Sequence, residues 1–141
     1  MNTPAPPPTD FVRTRRRHDR GQYDKAAIHR ILDAAPLCHV GHIIEGRPVV
    51  IPTFHWRVGD TVFWHGSSAS RMVRANAAGG QVCLTVSILD GYVLARSGFN
   101  HSVNYRSAVV EGVATRLTGD EHWAALDLLV DLLVPGRNSE I

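Results

Sequence analysis

Apolar residues along the chain follow two periodicities, one helical and one alternating. Residues 24–35 place alanine, isoleucine and leucine at helical spacing, and Asp24 in front of them is a good N-cap. Pro36 disfavours a further turn, so the pattern predicts a helix that ends there. Two more helices are predicted, one over residues 68–78 and one between Gly119-Asp120 and Pro135-Gly136.

Six other segments are short, apolar and rich in β-branched residues, as β-strands are. They are linked by short turn sequences such as Asp90-Gly91, which favour antiparallel hairpins, and helices do not separate successive strands as a doubly wound sheet requires. We therefore predict a mainly β fold, a six-stranded antiparallel barrel or strongly curled sheet with short flanking helices. The predicted strands are Leu37–Ile44, Val49–Trp56, Thr61–His65, Gln81–Leu89, Tyr92–Ser97 and Ser102–Leu117.

The length and the first residues predict one domain behind an N-terminal tail. A chain of 141 residues has the size of a single domain. Four prolines among the first eight residues disfavour regular backbone hydrogen bonding. Residues 1–22 are therefore predicted to form a disordered or arm-like tail, and residues 23–141 the folded domain.

Charge and hydropathy narrow the range of partners. The net charge is only +2, and five arginines fall between residues 13 and 20. A nucleic-acid-binding arm is one interpretation of these arginines, but no aromatic residues interleave with them and a solvated tail is simpler. Apolar runs are much shorter than the roughly 18 residues that a membrane span needs, and no apolar segment follows the arginines as in an export signal. A cytoplasmic protein is expected.

The cysteines and histidines form no recognisable metal motif. Cys38 and Cys83 lie in apolar segments at a spacing that fits no zinc pattern, which predicts two buried thiols. His39 and His42 are three positions apart, so on a strand they point to opposite faces. Three further histidines have an unspecific spacing, and no metal is predicted: His55, His65 and His101.

The segment WHGSSASR, residues 64–71, has the composition of an anion site. It joins a predicted strand to a predicted helix, and the first amides of a helix lack intrahelical partners. Gly66 permits close approach of a ligand to the backbone, three serines can donate from their hydroxyls, and Arg71 offers a planar fork for phosphate oxygens. Two interpretations stay open at this point: a phosphate site, or an ordinary serine cap followed by a solvated arginine.

A second polar stretch, FNHSVNYRS at residues 99–107, leads into the longest predicted strand. Buried strands rarely carry so many polar groups without partners. The stretch is therefore either an exposed edge or the lining of a site or subunit interface, where Tyr105 and Arg106 are typical residues.

Several short motifs, taken in their order and spacing, resemble one family. They are Tyr23-Asp24, Ile31-Leu32-Asp33, Cys38-His39-Val40-Gly41, Ile51-Pro52-Thr53, His65-Gly66-Ser67-Ser68-Ala69-Ser70-Arg71 and Asn104-Tyr105-Arg106-Ser107. Together they resemble the flavin-nucleotide-binding branch of the pyridoxamine 5′-phosphate oxidase-like superfamily, which includes the nitroimidazole-resistance proteins. The resemblance extends from about Arg13 to Arg137 and depends on the joint pattern.

This resemblance implies a split β-barrel homodimer that binds FMN at the subunit interface. It implies that the serine–arginine segment holds the FMN phosphate, that the strand before it lies along the flavin ring, and that the later long strand reaches the site. His65 matches a histidine found near the flavin in nitroimidazole-resistance proteins. The implied cofactor-binding residues are Ile51, Pro52, Thr53, His65, Gly66, Ser67, Ser70, Arg71, Asn104, Tyr105 and Arg106.

Two features depart from the family pattern. Pyridoxamine phosphate oxidases place a lysine after the Ser-Arg pair and an arginine ahead of the ring-binding strand, whereas this chain has Met72 and Pro48 there. Phosphate neutralisation is then weaker, and pyridoxamine is not the expected substrate. Relatives also continue beyond the Pro135-Gly136-Arg137 segment, so the domain is expected to be short at its C-terminus.

The predicted function is that of an FMN-binding, flavin-dependent oxidoreductase acting on a small or aromatic molecule. His65 is the candidate catalytic residue, as a hydrogen-bond donor or proton relay, and His55 is the second choice. The alternative is a non-catalytic module that binds or senses flavin or haem, because the sequence holds no compelling catalytic set.

Overall fold

The computed structural model describes residues 8–67, 69–77 and 79–137, and its secondary structure is mainly antiparallel β. The strands in this part of the chain form one sheet with the order β3-β2-β1-β4-β5. The elements are α1 (Lys25–Ala34), β1 (Leu37–Ile44), β2 (Arg47–Val58), β3 (Thr61–Trp64), α2 (Arg71–Ala75), β4 (Gly80–Val93), β5 (Ser102–Ala114) and α3 (Gly119–Leu133).

The predicted turn at Asp90-Gly91 is wrong, and the described residues therefore form five strands instead of six. Both residues lie inside the 14-residue strand β4. Neither has the positive φ that a two-residue Asp-Gly hairpin requires. The Asp90 carboxylate instead accepts hydrogen bonds from Arg106 on β5, so this residue has a partner within the sheet. Closure of the sheet into a split barrel stays a prediction.

The hairpin between β1 and β2 is confirmed, and its turn is tighter than predicted. Ile44 pairs directly with Arg47, which leaves two residues in the turn. Glu45 and Gly46 have φ values of 51° and 74°, the left-handed conformation that such turns need. Glycine adopts this conformation without strain, whereas a glutamate in it is uncommon.

Two of the three predicted helices are confirmed at their predicted positions. The Asp24 carboxylate accepts a hydrogen bond from the Ala27 amide at 2.9 Å and caps α1, and α3 starts at Gly119 as expected. The helix predicted over residues 68–78 is much shorter, because the Ser70 backbone is still extended. Its predicted ends, Ser68 and Ala78, lie outside the described residues.

Contacts divide the chain into two compact units, which are described separately. One unit consists of the residues before Leu37 together with Val86–Ala108, and the other of Leu37–Thr85 together with the residues from Val109. In the second unit, Trp56 on β2 packs with Ala125 and Leu129 of α3, and all three are buried. Full burial of a leucine side chain contributes roughly 1.5–3 kcal/mol, so this contact fixes α3 on the end of β2.

In the first unit, α1 buries Ala27 and Leu32. The segment before it is mostly exposed and contains a 3₁₀ turn at His18–Arg20, and a 2.7 Å hydrogen bond from the Thr14 amide to the Tyr23 hydroxyl closes it on itself. The division into a tail and a folded domain stays a prediction. Within the described residues, no helix combines the length and hydropathy that a membrane span requires.

Candidate functional site

The three residues predicted along the flavin ring lie on β2 and alternate between the faces of the sheet. Ile51 pairs with Val40 and Thr53 pairs with Cys38, and both partners are fully buried. Ile51 and Thr53 are accordingly half-buried, whereas Pro52 between them is exposed. Neighbouring side chains on a strand point in opposite directions. The three side chains therefore do not share one face, and Pro52 alone presents its ring to the exposed side.

The β3–α2 loop, residues 65–70, is pinned to β2 at its start. The Thr53 hydroxyl donates a 2.8 Å hydrogen bond to the His65 carbonyl oxygen. Further along, the Ser70 amide donates to the Ser67 carbonyl at 2.8 Å, and the Ala69 amide donates to the Ser67 hydroxyl oxygen at 3.2 Å. The Ser67 hydroxyl accepts in this bond and keeps its own proton for a further acceptor.

Side chains, rather than a helix end, supply the positive charge and the donors of this loop. The helix α2 has five residues, too few for a large dipole, and the Ser70 side chain makes no capping hydrogen bond. Arg71 is exposed, and none of the described carboxylates pairs with it. The chain contains no Asp or Glu between Asp60 and Asp90. The junction of the loop with α2 is therefore locally cationic and can accept an anion.

Gly66 has a packing role in this structure, and its predicted role in the approach of a ligand stays a prediction. A Cβ atom built at this position would lie 3.2 Å from the Val73 Cγ2 atom and 3.3 Å from the Met72 Cε atom. These contacts are tighter than ordinary van der Waals distances, so a side chain here would require the Val73 and Met72 side chains to shift slightly. The glycine lets the loop lie close to the helix that carries Arg71.

A buried histidine anchors the other end of α2. The Asn76 side-chain nitrogen donates to the Met72 carbonyl oxygen at 2.9 Å and contacts the His42 Nδ1 atom at 2.8 Å. Since an amide nitrogen only donates, His42 Nδ1 accepts and the ring is neutral with its proton on Nε2. Burial lowers the pKa of His42, in agreement with this neutral form. His42 is buried on β1 and His39 is exposed, so their predicted opposite orientation is confirmed.

A pocket of about 580 Å³ opens behind the β3–α2 loop. Its walls come from the ends of β2 and β5, from β3, α2 and α3, and His65 and Gly66 line it at the loop. His65 is exposed there, a position from which its ring can reach a bound molecule. His55, the second choice from the sequence, is buried instead.

The predicted residues of β5 belong to the first unit. Asn104, Tyr105 and Arg106 are all exposed. The Arg106 guanidinium donates to both oxygens of Asp90, with distances of 3.0 Å from Nε and 2.8 Å from Nη2. This pairing lowers the pKa of Asp90 and raises the pKa of Arg106. The Nε–H donor and one Nη2–H donor of Arg106 are thus already used.

The possible three-histidine site is not formed by the described residues, which contain no cluster of three His, Cys, Asp or Glu side chains suited to a metal. His101 instead accepts a hydrogen bond from the Ala95 amide on its Nδ1 atom at 3.1 Å.

Sequence reasoning missed several residues that shape this region. Trp56 lines the pocket together with Arg116 and His122, which lie much further along the chain, and Asn76 holds α2 through its side chain. Trp56 and His122 carried a weak signal, since each lies on an otherwise apolar face of its element. Their proximity depends on the packing of α3 against β2, which local patterns do not encode.

The comparisons with known proteins agree with this architecture. A family model described as pyridoxamine 5′-phosphate oxidase matches residues 24–141. The chain belongs to this family. The resemblance inferred from the motifs is thereby confirmed. A comparison with curated proteins found no match.

Three solved structures are similar to the chain. The flavocytochrome Anf3 from Azotobacter vinelandii is 42% identical with a TM-score of 0.86, over 94% of this chain and 62% of that one. An FAD and heme binding protein from Mycobacterium smegmatis is 38% identical with a TM-score of 0.78, over 84% and 58%. A proposed 5-nitroimidazole antibiotic resistance protein from Bacteroides thetaiotaomicron is 28% identical with a TM-score of 0.61, over 77% and 66%. The chain thus spans about three fifths of the length of the first two.

Proposed function

We propose that this protein binds a flavin nucleotide and uses it as an oxidoreductase on a small or aromatic molecule. The observation that carries the proposal is that two family relatives, 42% and 38% identical, are named as a flavocytochrome and as an FAD and heme binding protein. The locally cationic junction of the β3–α2 loop with α2 supports it independently, because a flavin nucleotide brings a phosphate.

In this proposal, Ser67, Ser70 and Arg71 hold the phosphate. Both serines have a hydroxyl proton available, and Arg71 supplies a fork of N–H donors that no described carboxylate occupies. FMN is the favoured form, because its terminal phosphate carries more charge than either phosphate of a diester-linked FAD. The name of the Mycobacterium smegmatis relative makes FAD the form to test beside it.

The remaining site residues would orient the ring and a substrate. A bound flavin supplies hydride or electron transfer, and the protein supplies position and electrostatics. Pro52 packs against the ring from β2, and His65 donates a hydrogen bond or relays a proton near it. Asn104 and Tyr105 reach the site at the subunit interface, together with the N–H groups of Arg106 that Asp90 does not occupy.

A second copy of the chain is the proposed partner, and flavin lies at the interface between the copies. The exposed face of β1 and β2 is apolar: Leu37, Ile43 and Val50 are 55%, 66% and 64% exposed. The register places these three residues and Pro52 on one face, and apolar faces of this kind are typical of interfaces. Ile43→Glu should convert a dimer to a monomer in light scattering, whereas Val58→Glu, beyond the β1–β2 pairing, should not. A wild-type monomer would refute this arrangement.

The cytoplasm is the proposed location. Cys38 and Cys83 are both free cysteines, as expected in a reducing compartment.

The decisive experiment is a titration of the purified protein with FMN and with FAD, followed by absorption and by quenching of flavin fluorescence. Arg71→Ala should raise the Kd roughly 10- to 100-fold, the range for loss of a charged hydrogen bond. Arg74→Ala is the matched control, since it removes an exposed arginine one turn away on the same helix. If neither flavin binds, or if both variants bind like wild type, the proposed phosphate site is wrong.

A non-catalytic module that binds flavin or haem is the second candidate. It is favoured by the names of the same relatives, of which one is a flavocytochrome and the other an FAD and heme binding protein. Stopped-flow mixing of the flavin-loaded protein with NADH or NADPH separates the two functions. Rapid bleaching of the flavin bands supports a reductase. No reduction by any common donor, with flavin still bound, supports the module.

A further inference from the structure

The pocket behind the β3–α2 loop is distinct from the proposed flavin site. Its lining contains none of the ring-binding residues 51–53 and none of the phosphate-binding residues Ser67, Ser70 and Arg71. Only His65 and Gly66 belong to both. At about 580 Å³ it has the volume of a site for a small molecule.

The walls of this pocket suit a flat, apolar molecule. Trp56 and Phe63 stack on each other with ring centroids 5.5 Å apart and planes inclined by 16°, which gives one wall a broad aromatic surface. Leu117 and Leu126 extend the apolar lining.

The ionisable side chains that line the pocket are basic, and none of them is acidic. Arg116, His65 and His122 line the pocket, and no Asp or Glu does. All three side chains are exposed, so they can meet a group at the mouth while the apolar part of a ligand enters. A carboxylate on the ligand is a group that these donors can bind.

We propose that this pocket is a second ligand site, separate from the flavin site, for a flat and mostly apolar molecule that carries a carboxylate. Haem, the second candidate above, belongs to this chemical class, but the proposal is drawn from the lining and does not depend on flavin binding.

The test is a titration of the full chain with hemin and with iron-free protoporphyrin IX, followed by absorption and by quenching of tryptophan fluorescence. Thr115→Trp fills the pocket from an exposed position in its lining. It should abolish binding of both probes. Arg116→Ala should raise both Kd values roughly 10-fold, whereas Arg74→Ala, outside the lining, should leave them unchanged. Circular dichroism and thermal unfolding establish that each variant is folded.

The outcomes are separable from those for the flavin site. Saturating FMN should not displace either probe, and Thr115→Trp should keep its affinity for FMN. Failure of both probes to bind, or equal binding by wild type and Thr115→Trp, would overturn the proposal. Displacement by FMN would also overturn it, because it would show one shared site.

Discussion

The start of α2, directly after the β3–α2 loop, and the paired strands β4 and β5 each carry an arginine that sequence reasoning assigned to a cofactor site, but the surroundings of the two differ. Arg106 has both oxygens of Asp90 within hydrogen-bond distance, so its charge is compensated. Arg71 lies in a stretch of 29 residues, 61–89, without any carboxylate, and no described carboxylate pairs with it. The nearest counter-charge, more than the residue type, decides which arginine is available to an anionic ligand.

Reversal of each charge gives the strongest test of this contrast. Arg71→Glu replaces the phosphate partner by a like charge and should weaken flavin binding more than 100-fold, because a lost charged hydrogen bond is joined by repulsion. Arg106→Glu should change the Kd only a few-fold. Fluorescence titration of both variants with FMN measures the difference. Equal losses would mean that Asp90 does not withhold Arg106 from the site.

The Cys38 thiol is buried in the unit that contains the loop, and its burial should make the protein less stable at high pH. Burial raises the pKa of the Cys38 thiol to about 11. The unfolded chain loses this proton from about pH 9, so the free energy of unfolding should fall by about 2 kcal/mol between pH 9 and pH 11. Urea unfolding of Cys38→Ala should lack this part of the decline. Cys83→Ala is the control, and a decline that is the same in all three proteins would contradict the assignment to Cys38.

A similar but smaller loss of stability is expected from His42 at acid pH. Burial lowers the pKa of His42, so the unfolded chain takes up a proton at a pH where the folded chain does not. The free energy of unfolding should fall as the pH drops below about 6.5, by no more than about 1.4 kcal/mol per pH unit. His42→Leu should flatten this slope, whereas His39→Leu, on the exposed face of the same strand, should keep it. A slope unchanged by His42→Leu would rule this origin out.

The smallest effect is expected from the exposed ion pair itself. Arg106 lowers the pKa of Asp90, so the pair contributes above the ordinary carboxyl pKa and its contribution is lost as the pH falls below it. Both side chains are well exposed, and exposed pairs contribute little. At pH 7 and moderate salt, Asp90→Asn should shift the melting temperature by an amount near the limit of detection. A large shift that persists in high salt would show that the pair stabilises the fold by more than an electrostatic attraction that salt screens.

Sequence reasoning succeeded where the determinants are local. The Asp24 cap, the β1–β2 hairpin and the alternation of His39 and His42 each depend on a few neighbouring residues, and each is found in the structure. The family was also recognised correctly, because its motifs are spread over the chain in a fixed order.

It failed where a distant residue changes the local outcome. Asp90-Gly91 has turn chemistry, but Arg106 provides Asp90 with a partner sixteen residues away and the strand continues. The pattern of residues 68–78 predicts a full helix, but the short α2 is bounded by the extended Ser70 and by Asn76, whose side chain bonds to Met72 and His42. The pocket was missed for the same reason, since its residues meet only after α3 packs against β2.

The carboxylate-free stretch has a practical consequence for locating bound molecules. A protease that cleaves before aspartate cuts the chain at Asp60 and at Asp90 and leaves residues 60–89 as one peptide. That peptide carries the whole β3–α2 loop and Arg71. It is separate from the peptide that begins at Asp120 and contains His122 and Leu126 of the pocket wall. Photolabelling followed by mass spectrometry would therefore show whether a ligand had contacted the pocket wall formed by His122 and Leu126, because the label would then be on the peptide that begins at Asp120.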